Sequence, residues 1–230
     1  SLGEVPRKGA CRLIYFRREA ERSYPDRTVP VHYEYRASHV PIYERGQDET
    51  LDEYIAARSD DLVREGQILP FDCIAQTAEG RKAIAYLKAD VDDLGFLLQH
   101  GLDWNPVGWT FSKMATLSRS LEFFFSGRIQ HLLRGKPKEG DENPFRMIYT
   151  VFSGGDDLLL VGPWNVLHDF ARTLREEWSA YTGQNPHSTL SVGIAMARPM
   201  TPIWAAAELA ESALKDAKLR SSLRNGTPKN

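Results

Sequence analysis

After residue 80, apolar residues follow two patterns that alternate along the chain: short continuous runs, and longer segments with helical spacing. Short and nearly continuous apolar runs at residues 82–90 and 189–195 predict strands. Residues 148–161 read as two further short strands around a polar tip. Between these runs lie longer segments in which apolar residues return every three or four positions, as on one face of a helix.

Three helices are predicted from this longer spacing. The first follows Ser112, a residue type that often caps a helix, and continues through an apolar face that ends near Leu132. The second covers Trp164 to Tyr181, and the third runs from Pro202 to about Leu219 and is rich in Ala, Glu and Lys. The residues expected to face the sheet from the second helix are Leu167, Phe170, Leu174 and Trp178.

Strands and helices in this order predict an α+β fold with the repeat β-α-β-β-α-β. Such a chain forms an antiparallel sheet with two helices on one face, which is the ferredoxin-like palm. We expect the first strand in the middle of this sheet, beside the first strand of the hairpin. The palm is predicted to cover residues 80–230, and Ser221 to Asn230 are expected to be either disordered or the cut end of a longer segment.

Residues 1–79 carry weaker signals and predict a small β-containing unit in front of the palm. Ala10–Phe16 and Val29–Tyr35 have the character of strands, and the second alternates apolar with polar residues. A short helix is predicted from Thr50 to Arg58, after an acidic loop.

Composition and charge restrict the possible functions. The chain is 42% hydrophobic and 26% charged, and its net charge is −2, so any nucleotide site must be local rather than a broad basic surface. The two cysteines, Cys11 and Cys73, are too few for a four-thiolate zinc site and predict buried or free thiols in a reducing cytoplasm. No apolar run has the length expected of a membrane span.

The polar tip at residues 153–157 is the first candidate site. Gly154 and Gly155 suit a tight hairpin turn because glycine adopts positive φ at little cost. Asp156 and Asp157 follow at once, and two neighbouring carboxylates repel each other unless a cation lies beside them. A solvated turn is the competing interpretation, since Gly and Asp are common in turns of every kind.

A carboxylate at the end of the first strand favours the cation site over the solvated turn. Asp90 ends the run 82–90, and it can meet the hairpin carboxylates if the strands are neighbours. Clustered carboxylate oxygens suit a hard divalent ion such as Mg²⁺. Two such ions can bind a triphosphate, activate a hydroxyl and stabilise a leaving oxygen.

Five segments now identify a family resemblance. LKADVDDLG, SKMATLSRSLEFFF, YTVFSGGDDLLLVGP, TLSVGIAM and ALKDAK occur in this order. They resemble the second palm domain of the large subunit of type III CRISPR effector complexes, most closely the III-A branch. GGDEF diguanylate cyclases and palm-type polymerases are wider relatives. The resemblance covers roughly residues 70–230, and it implies that residues 1–79 are the end of a linker domain. No paired Cys motif occurs there, so a zinc site is not expected.

The resemblance implies roles for individual residues of the metal site. Asp90 corresponds to the first-strand metal carboxylate, and the carbonyl of Val91 is a possible extra ligand. Asp156 corresponds to the second metal carboxylate, and Asp157 completes or stabilises the site.

Four further positions are implied for nucleotide binding. Gly154 and Gly155 let the backbone approach the phosphates, and Ser153 is a candidate donor to the base or sugar. Lys218 corresponds to a lysine that touches triphosphate oxygens in the cyclases, although an exposed helix lysine is an equally good interpretation.

The implied activity is synthesis of cyclic oligoadenylate from ATP with two Mg²⁺ or Mn²⁺ ions. The implied partners are the other subunits of the effector complex and, through them, the crRNA and the target RNA. In the family two palms face each other across two ATP molecules, so a single palm is expected to be weakly active or inactive alone.

Two alternatives stay open. One is a diguanylate cyclase, although those enzymes carry Glu where this chain has Asp157 and Phe where it has Leu158. The other is a non-catalytic palm that only scaffolds RNA and protein subunits, against which the intact carboxylates argue.

Overall fold

The computed structural model describes residues 13–14, 31–32, 39–58, 63–101, 108–135 and 143–224. The strands are β1 (Leu13–Ile14), β2 (Val31–His32), β3 (Ile84–Val91), β4 (Tyr149–Gly154), β5 (Asp157–Pro163) and β6 (Leu190–Ala197). The helices are α1 (Glu49–Ala56), α2 (Phe71–Gln76), α3 (Leu94–His100), α4 (Phe111–Glu122), α5 (Ile129–Arg134), α6 (Trp164–Tyr181) and α7 (Ile203–Arg224). A π-helical segment, Phe123–Arg128, joins α4 to α5.

Four antiparallel strands form the main sheet, in the order β4-β5-β3-β6. This confirms the α+β fold, but the expected neighbour of the first strand was wrong. β3 pairs with β5, the second strand of the hairpin, and with β6. The helical connection after β3 places β4 two strand positions away from β3. The hairpin then places β5 between β4 and β3.

Alternating residues of β3 face two different hydrophobic cores. Ala85, Leu87, Ala89 and Val91 face a core built with α4, α5, the π-helical segment and α6. The predicted inner face of α6 is buried there, as expected for the two helices of the repeat.

The prediction that helices cover only one face was incomplete. Ile84 and Tyr86 face a second core, which contains buried residues of α2 and of α7. Ile84, Ala85, Tyr86 and Leu87 are all fully buried. A strand that is apolar on both faces must be covered on both faces, and the continuous apolar run of β3 was the signal for it.

The segments 39–58 and 63–79 contribute buried residues to this second core. Leu51 of α1 and Cys73 and Ile74 of α2 are buried against it, and the predicted short helix is found as α1. The two predicted strands overlap the parallel pair of β1 and β2, while Cys11 and the other residues of those strands lie outside the described residues. The domain boundary at residue 79 stays a prediction.

Two helix ends differ from the prediction. Thr110, rather than Ser112, caps α4: its backbone is extended and its hydroxyl accepts a hydrogen bond of 3.3 Å from Lys113 N. At the other end of the chain, α7 continues to Arg224, into the segment expected to be either disordered or a cut end, and residues 225–230 lie outside the described ranges. Within the ranges described, we find no helix with the length and apolar character needed to cross a membrane.

Candidate nucleotide and metal site

The sheet places two of the predicted carboxylates side by side. Asp90, near the end of β3, is the cross-strand partner of Asp157, the first residue of β5. Side chains that face each other in this way lie about 5 Å apart at their Cβ atoms, and like charges there destabilise the pair. The hairpin therefore approaches Asp90 through its second strand, and the direct partner is Asp157 rather than Asp156.

The turn of the hairpin lies one residue later than predicted. Gly154 ends β4 and pairs with Asp157, so Gly155 and Asp156 form the turn. Gly155 has a φ of +66° whereas Asp156 does not have positive φ, which is the pattern of a type II′ turn. A Cβ atom added to Gly155 would meet nothing within 4 Å. Gly155 is thus needed for its backbone conformation, and the space beside the turn is open to a ligand.

Ser153 is placed away from the carboxylates. It is buried, and its hydroxyl donates a 2.5 Å hydrogen bond to the carbonyl oxygen of Phe125, in the π-helical segment. Because Gly154 shares the face of Asp157, its neighbour Ser153 faces the opposite core. The expected hydrogen bond from Ser153 to a base or sugar is therefore corrected: this hydroxyl fastens the hairpin to the helix layer.

Two lysines lie over the carboxylate face of the sheet. Lys218, from α7, forms an ion pair with Asp90 through Nζ and Oδ2. Lys88 precedes Asp90 by two residues on the same face of β3, and its Nζ donates to Glu211 Oε2 at 2.6 Å. Sequence reasoning named Lys218 but missed Lys88 and Glu211. A lysine inside an otherwise apolar strand, in register with Asp90, was the available signal.

Electrostatics couple these groups. The hydrogen bond to Glu211 raises the pKa of Lys88, and the same bond lowers the pKa of Glu211. Burial raises the pKa of Asp157, and the charges of Asp90 and Glu211 add to this while Lys88 opposes it. The ionised form of Asp157 is therefore less favoured in the fold than in solution, and further positive charge beside it would favour that form.

The donor set fits a divalent ion that also binds phosphates. Among the described residues, no group of three or more His, Cys, Asp or Glu side chains is arranged to hold a metal. Mg²⁺ commonly takes only one or two protein carboxylates, together with water and substrate phosphates. Asp90 and Asp157 provide such a pair, with Asp156 beside them in the turn. The side chain of Val91 is apolar and is buried on the other face, so the backbone carbonyl oxygen is the ligand atom that this residue can offer.

Asp92 fixes the end of β3 through its side chain. The sequence analysis did not identify this residue. Its carboxylate accepts hydrogen bonds from Thr189 Oγ1 at 2.7 Å and from Ser191 Oγ at 2.6 Å. Ser191 is the cross-strand partner of Asp90 on β6. These contacts hold the backbone that carries Asp90 and Val91 against β6.

We expect Asp157→Asn to stabilise the metal-free chain. Because the pKa of Asp157 is raised in the fold, the folded state holds the proton more tightly than the unfolded state. Stability therefore falls as the pH rises from the ordinary value of 3.8 through the raised value. Asn removes this loss. A gain below about 1 kcal/mol, up to about 3 °C in melting temperature, is expected at neutral pH.

Thermal melting of the two chains without metal, between about pH 3 and pH 8, measures this difference. Asp169→Asn is the matched control, because Asp169 lies on the exposed side of α6. A lower melting temperature for Asp157→Asn at neutral pH would contradict the prediction and would make Asp157 a stabilising residue.

Comparison with known proteins relates this arrangement to one family. The family model described as Cas10/Cmr2, second palm domain, matches residues 83–227. A protein of Methanocaldococcus jannaschii named CRISPR system single-strand-specific deoxyribonuclease Cas10/Csm1 (subtype III-A) is 36% identical over 160 aligned residues, and the match covers 67% of this chain and 20% of that protein. The protein of the same name from Thermococcus onnurineus is 32% identical over 168 aligned residues, and this match also covers 67% of this chain and 20% of that protein. The chain thus spans about a fifth of the length of these relatives.

Solved structures of Csm1 agree with this match. The crystal structure of Csm1 in T. onnurineus superposes with a TM-score of 0.65 at 25% identity, over 87% of this chain and 26% of that one. The Csm1–Csm4 cassette in complex with AMPPNP gives 0.64 at 26% identity, over 86% of this chain and 25% of that one. The same cassette in complex with cA4 also gives 0.64 at 26% identity, over 86% and 26% of the two chains.

Proposed function

This chain belongs to the family of Cas10/Cmr2 second palm domains, and on that premise we propose that it is the catalytic palm of a cyclic oligoadenylate synthase. The substrate is ATP, and the cofactors are two Mg²⁺ or Mn²⁺ ions. The observation that carries the proposal is the cross-strand pair Asp90 and Asp157 beneath the ammonium group of Lys218. Two carboxylates and a cation on one face provide the two kinds of group that a metal-bound triphosphate needs.

The chemistry is nucleotidyl transfer. The 3′-hydroxyl of one ATP gives up its proton and attacks the α-phosphorus of another; a new P–O bond forms, and the bond from that phosphorus to the α–β bridging oxygen breaks so that pyrophosphate leaves. The step repeats, and the ring closes when the last 3′-hydroxyl attacks the 5′ α-phosphorus of its own chain and releases the final pyrophosphate. The divalent ions, when bound, neutralise phosphate charge and activate the hydroxyl. Asp90, Asp157 and Asp156 would hold these ions, with the carbonyl of Val91 as a further ligand.

The remaining residues position the triphosphate. Lys218 binds its oxygens after leaving Asp90, and the open turn at Gly155 lets phosphate or sugar approach the hairpin backbone. Rate acceleration in this class of reaction comes mainly from positioning and from charges fixed in advance. The four-stranded sheet below the site, packed against a hydrophobic core on each face, supports both.

The palm works as part of a larger assembly. Solved relatives are Csm1 in complex with Csm4, and some also hold AMPPNP or cA4. We extend this to the present chain: the other effector subunits are its partners, crRNA and target RNA reach it through the complex, and it acts in the cytoplasm. A second palm supplies the other half of the site, so the isolated chain is weakly active or inactive.

The curated relatives are named for cleavage of single-stranded DNA. We place nucleotide synthesis, rather than DNA cleavage, at this palm because Lys88, Lys218 and the carboxylates lie together on one face of the sheet, where they suit a metal-bound triphosphate. The second candidate function is that of a diguanylate cyclase, for which the substrate would be GTP instead of ATP.

Nucleotide selectivity tests the proposal. In the complete effector complex with target RNA and Mg²⁺, we expect ATP to give cyclic products and GTP to give none. Calorimetry on the same complex should show ATP bound about ten-fold more tightly, or about 1.4 kcal/mol. Equal or tighter binding of GTP favours the diguanylate cyclase. Absence of both binding and product leaves a palm that only scaffolds the other components.

A further inference from the structure

Helix α7 lies closer to the sheet at Gly193 than any side chain there would permit. A Cβ atom on Gly193 would stand 2.3 Å from both Ala210 O and Leu214 N, and 2.8 Å from Leu214 Cα. These are backbone atoms of the helix, and Gly193, in the middle of β6, does not have positive φ. The glycine is therefore required for space. In a closely packed interior, any larger residue forces the helix away from the strand.

A second contact, on the neighbouring strand, fixes α7 along the sheet. Gly193 is the cross-strand partner of Lys88, and Lys88 binds Glu211, the residue that follows Ala210. The side chains of Lys88 and Glu211 are 21% and 35% exposed, so their ion pair is less screened than a fully exposed one. Close approach and ion pairing thus occur at the same level of the sheet.

These two contacts determine where the next part of α7 lies. Lys218 is two helical turns beyond Glu211, about 10.5 Å along the helix axis. Its partner Asp90 is two residues beyond Lys88, about 6.6 Å along the strand. The helix and β3 run in the same direction here, and the long lysine side chain spans the difference. A helix displaced outward at Gly193 would carry the Lys218 ammonium away from Asp90.

We propose that Gly193 and Glu211 are positioning residues for Lys218, and that they hold its ammonium group over the carboxylate pair. The placement of Lys218 stands on the contacts above, whereas its use by a triphosphate rests on the proposed function. Gly193 acts by allowing the close approach, and Glu211 acts by anchoring α7 to Lys88.

The first test measures whether the ion pair of Lys218 with Asp90 survives in each variant. Asp90→Asn and Lys218→Met are introduced singly and together, and the unfolding equilibrium of this chain is measured in denaturant. The coupling is the factor by which the effect of Lys218→Met on the unfolding constant differs between the parent and the Asp90→Asn variant. We expect this factor to be about two to five when residue 193 is glycine. In the Gly193→Ala background the coupling should vanish.

Gly162→Ala is the matched control for a glycine in the same sheet. A Cβ atom there would meet Ile148 Cγ1 at 3.2 Å and Leu167 Cγ at 3.4 Å, on the other face and without touching α7. This background should keep the coupling of the parent. Coupling retained with Gly193→Ala, or lost equally with Gly162→Ala, overturns the proposal.

Glu211→Gln carries the test if Gly193→Ala fails to fold. It leaves the close packing intact and removes the anchor to Lys88, so the coupling should fall toward one. Glu208→Gln, an exposed change on the same helix, should leave it unchanged. Unchanged coupling in Glu211→Gln overturns the proposal in that case.

The second test is made in the complete effector complex. Gly193→Ala should raise the KM for ATP by about ten-fold with kcat changed less than about two-fold, and Gly162→Ala should change neither. If the parent complex makes no oligoadenylate, the proposed function is wrong. The coupling experiment still shows whether Gly193 and Glu211 position the ammonium group of Lys218. If the parent is active and Gly193→Ala matches Gly162→Ala, only the positioning role fails.

Discussion

Replacing Asp156 and Asp157 by Ala should abolish cyclic oligoadenylate synthesis in the complete effector complex while leaving the fold intact. The expected loss is at least about 10³-fold, because the change removes the carboxylates that hold the divalent ions opposite Asp90. The turn itself is preserved, since Gly155 supplies the required positive φ and stays in place. Chromatography of the reaction products measures the loss.

Stability separates loss of chemistry from loss of structure. Without metal, the double variant should melt at the parent temperature or slightly above it, because the like charges of Asp90 and Asp157 no longer face each other. Asp169→Ala, on the exposed side of α6, is the control for removing a carboxylate elsewhere. Product formation by the double variant would place the active site elsewhere. A melting temperature far below that of the parent would make this a structural turn.

The single variants should differ in severity. Asp157 is the direct cross-strand partner of Asp90, whereas Asp156 lies in the turn. We therefore expect Asp157→Asn to lose more activity than Asp156→Asn. The family resemblance alone assigns the second metal carboxylate to Asp156, so the opposite order would favour that assignment over the strand register seen here.

The strands and helices of the palm follow from local patterns in the sequence. The apolar run that became β3 and the helical period of α6 are local signals, and the buried residues of α6 are those expected from that period. The pairing of β3 with β5 depends on how the helical crossover closes, which no local pattern records. The error of one residue in the turn has a different origin: two adjacent glycines both suit a tight turn, and the sequence does not show which one takes the positive φ.

Some residues of the site can be predicted from the local sequence, whereas the positions of others depend on tertiary structure. Asp90 and Asp157 can be found from strand ends and turn composition. The face that Ser153 occupies depends on the register of β4 against β5, and a bulge between Thr150 and Phe152 shifts that register. Once the register is known, the burial of Ser153 against Phe125 follows from simple alternation.

The contact between Lys88 and Glu211 could not be predicted from the sequence for a further reason. Glu211 lies on a helix rich in Ala, Glu and Lys, where its composition resembles that of a solvated face. Only the close approach of α7 at Gly193 brings Glu211 to Lys88. Contacts between residues so far apart in sequence are set by tertiary packing, which periodicity in a single segment does not reveal.

Lys218→Met should lower kcat/KM for ATP by about 10²-fold, mainly through a higher KM, if the lysine binds the triphosphate. The same change should lower the Mg²⁺ concentration needed to stabilise the chain, because the ammonium group paired with Asp90 competes with a metal ion for that carboxylate. A lysine that merely covered the surface would produce neither effect.

Lys215→Met is the matched control for this prediction. Lys215 lies on the same helix, its side chain is 71% exposed, and its nearest carboxylate oxygen is on Glu211 at 3.5 Å. Lys218→Arg should recover part of the activity, since it retains the positive charge but changes its geometry. If Lys218→Met and Lys215→Met gave the same KM and the same Mg²⁺ dependence, Lys218 would be a surface residue. The carboxylate pair would then hold its metal and nucleotide without help from α7.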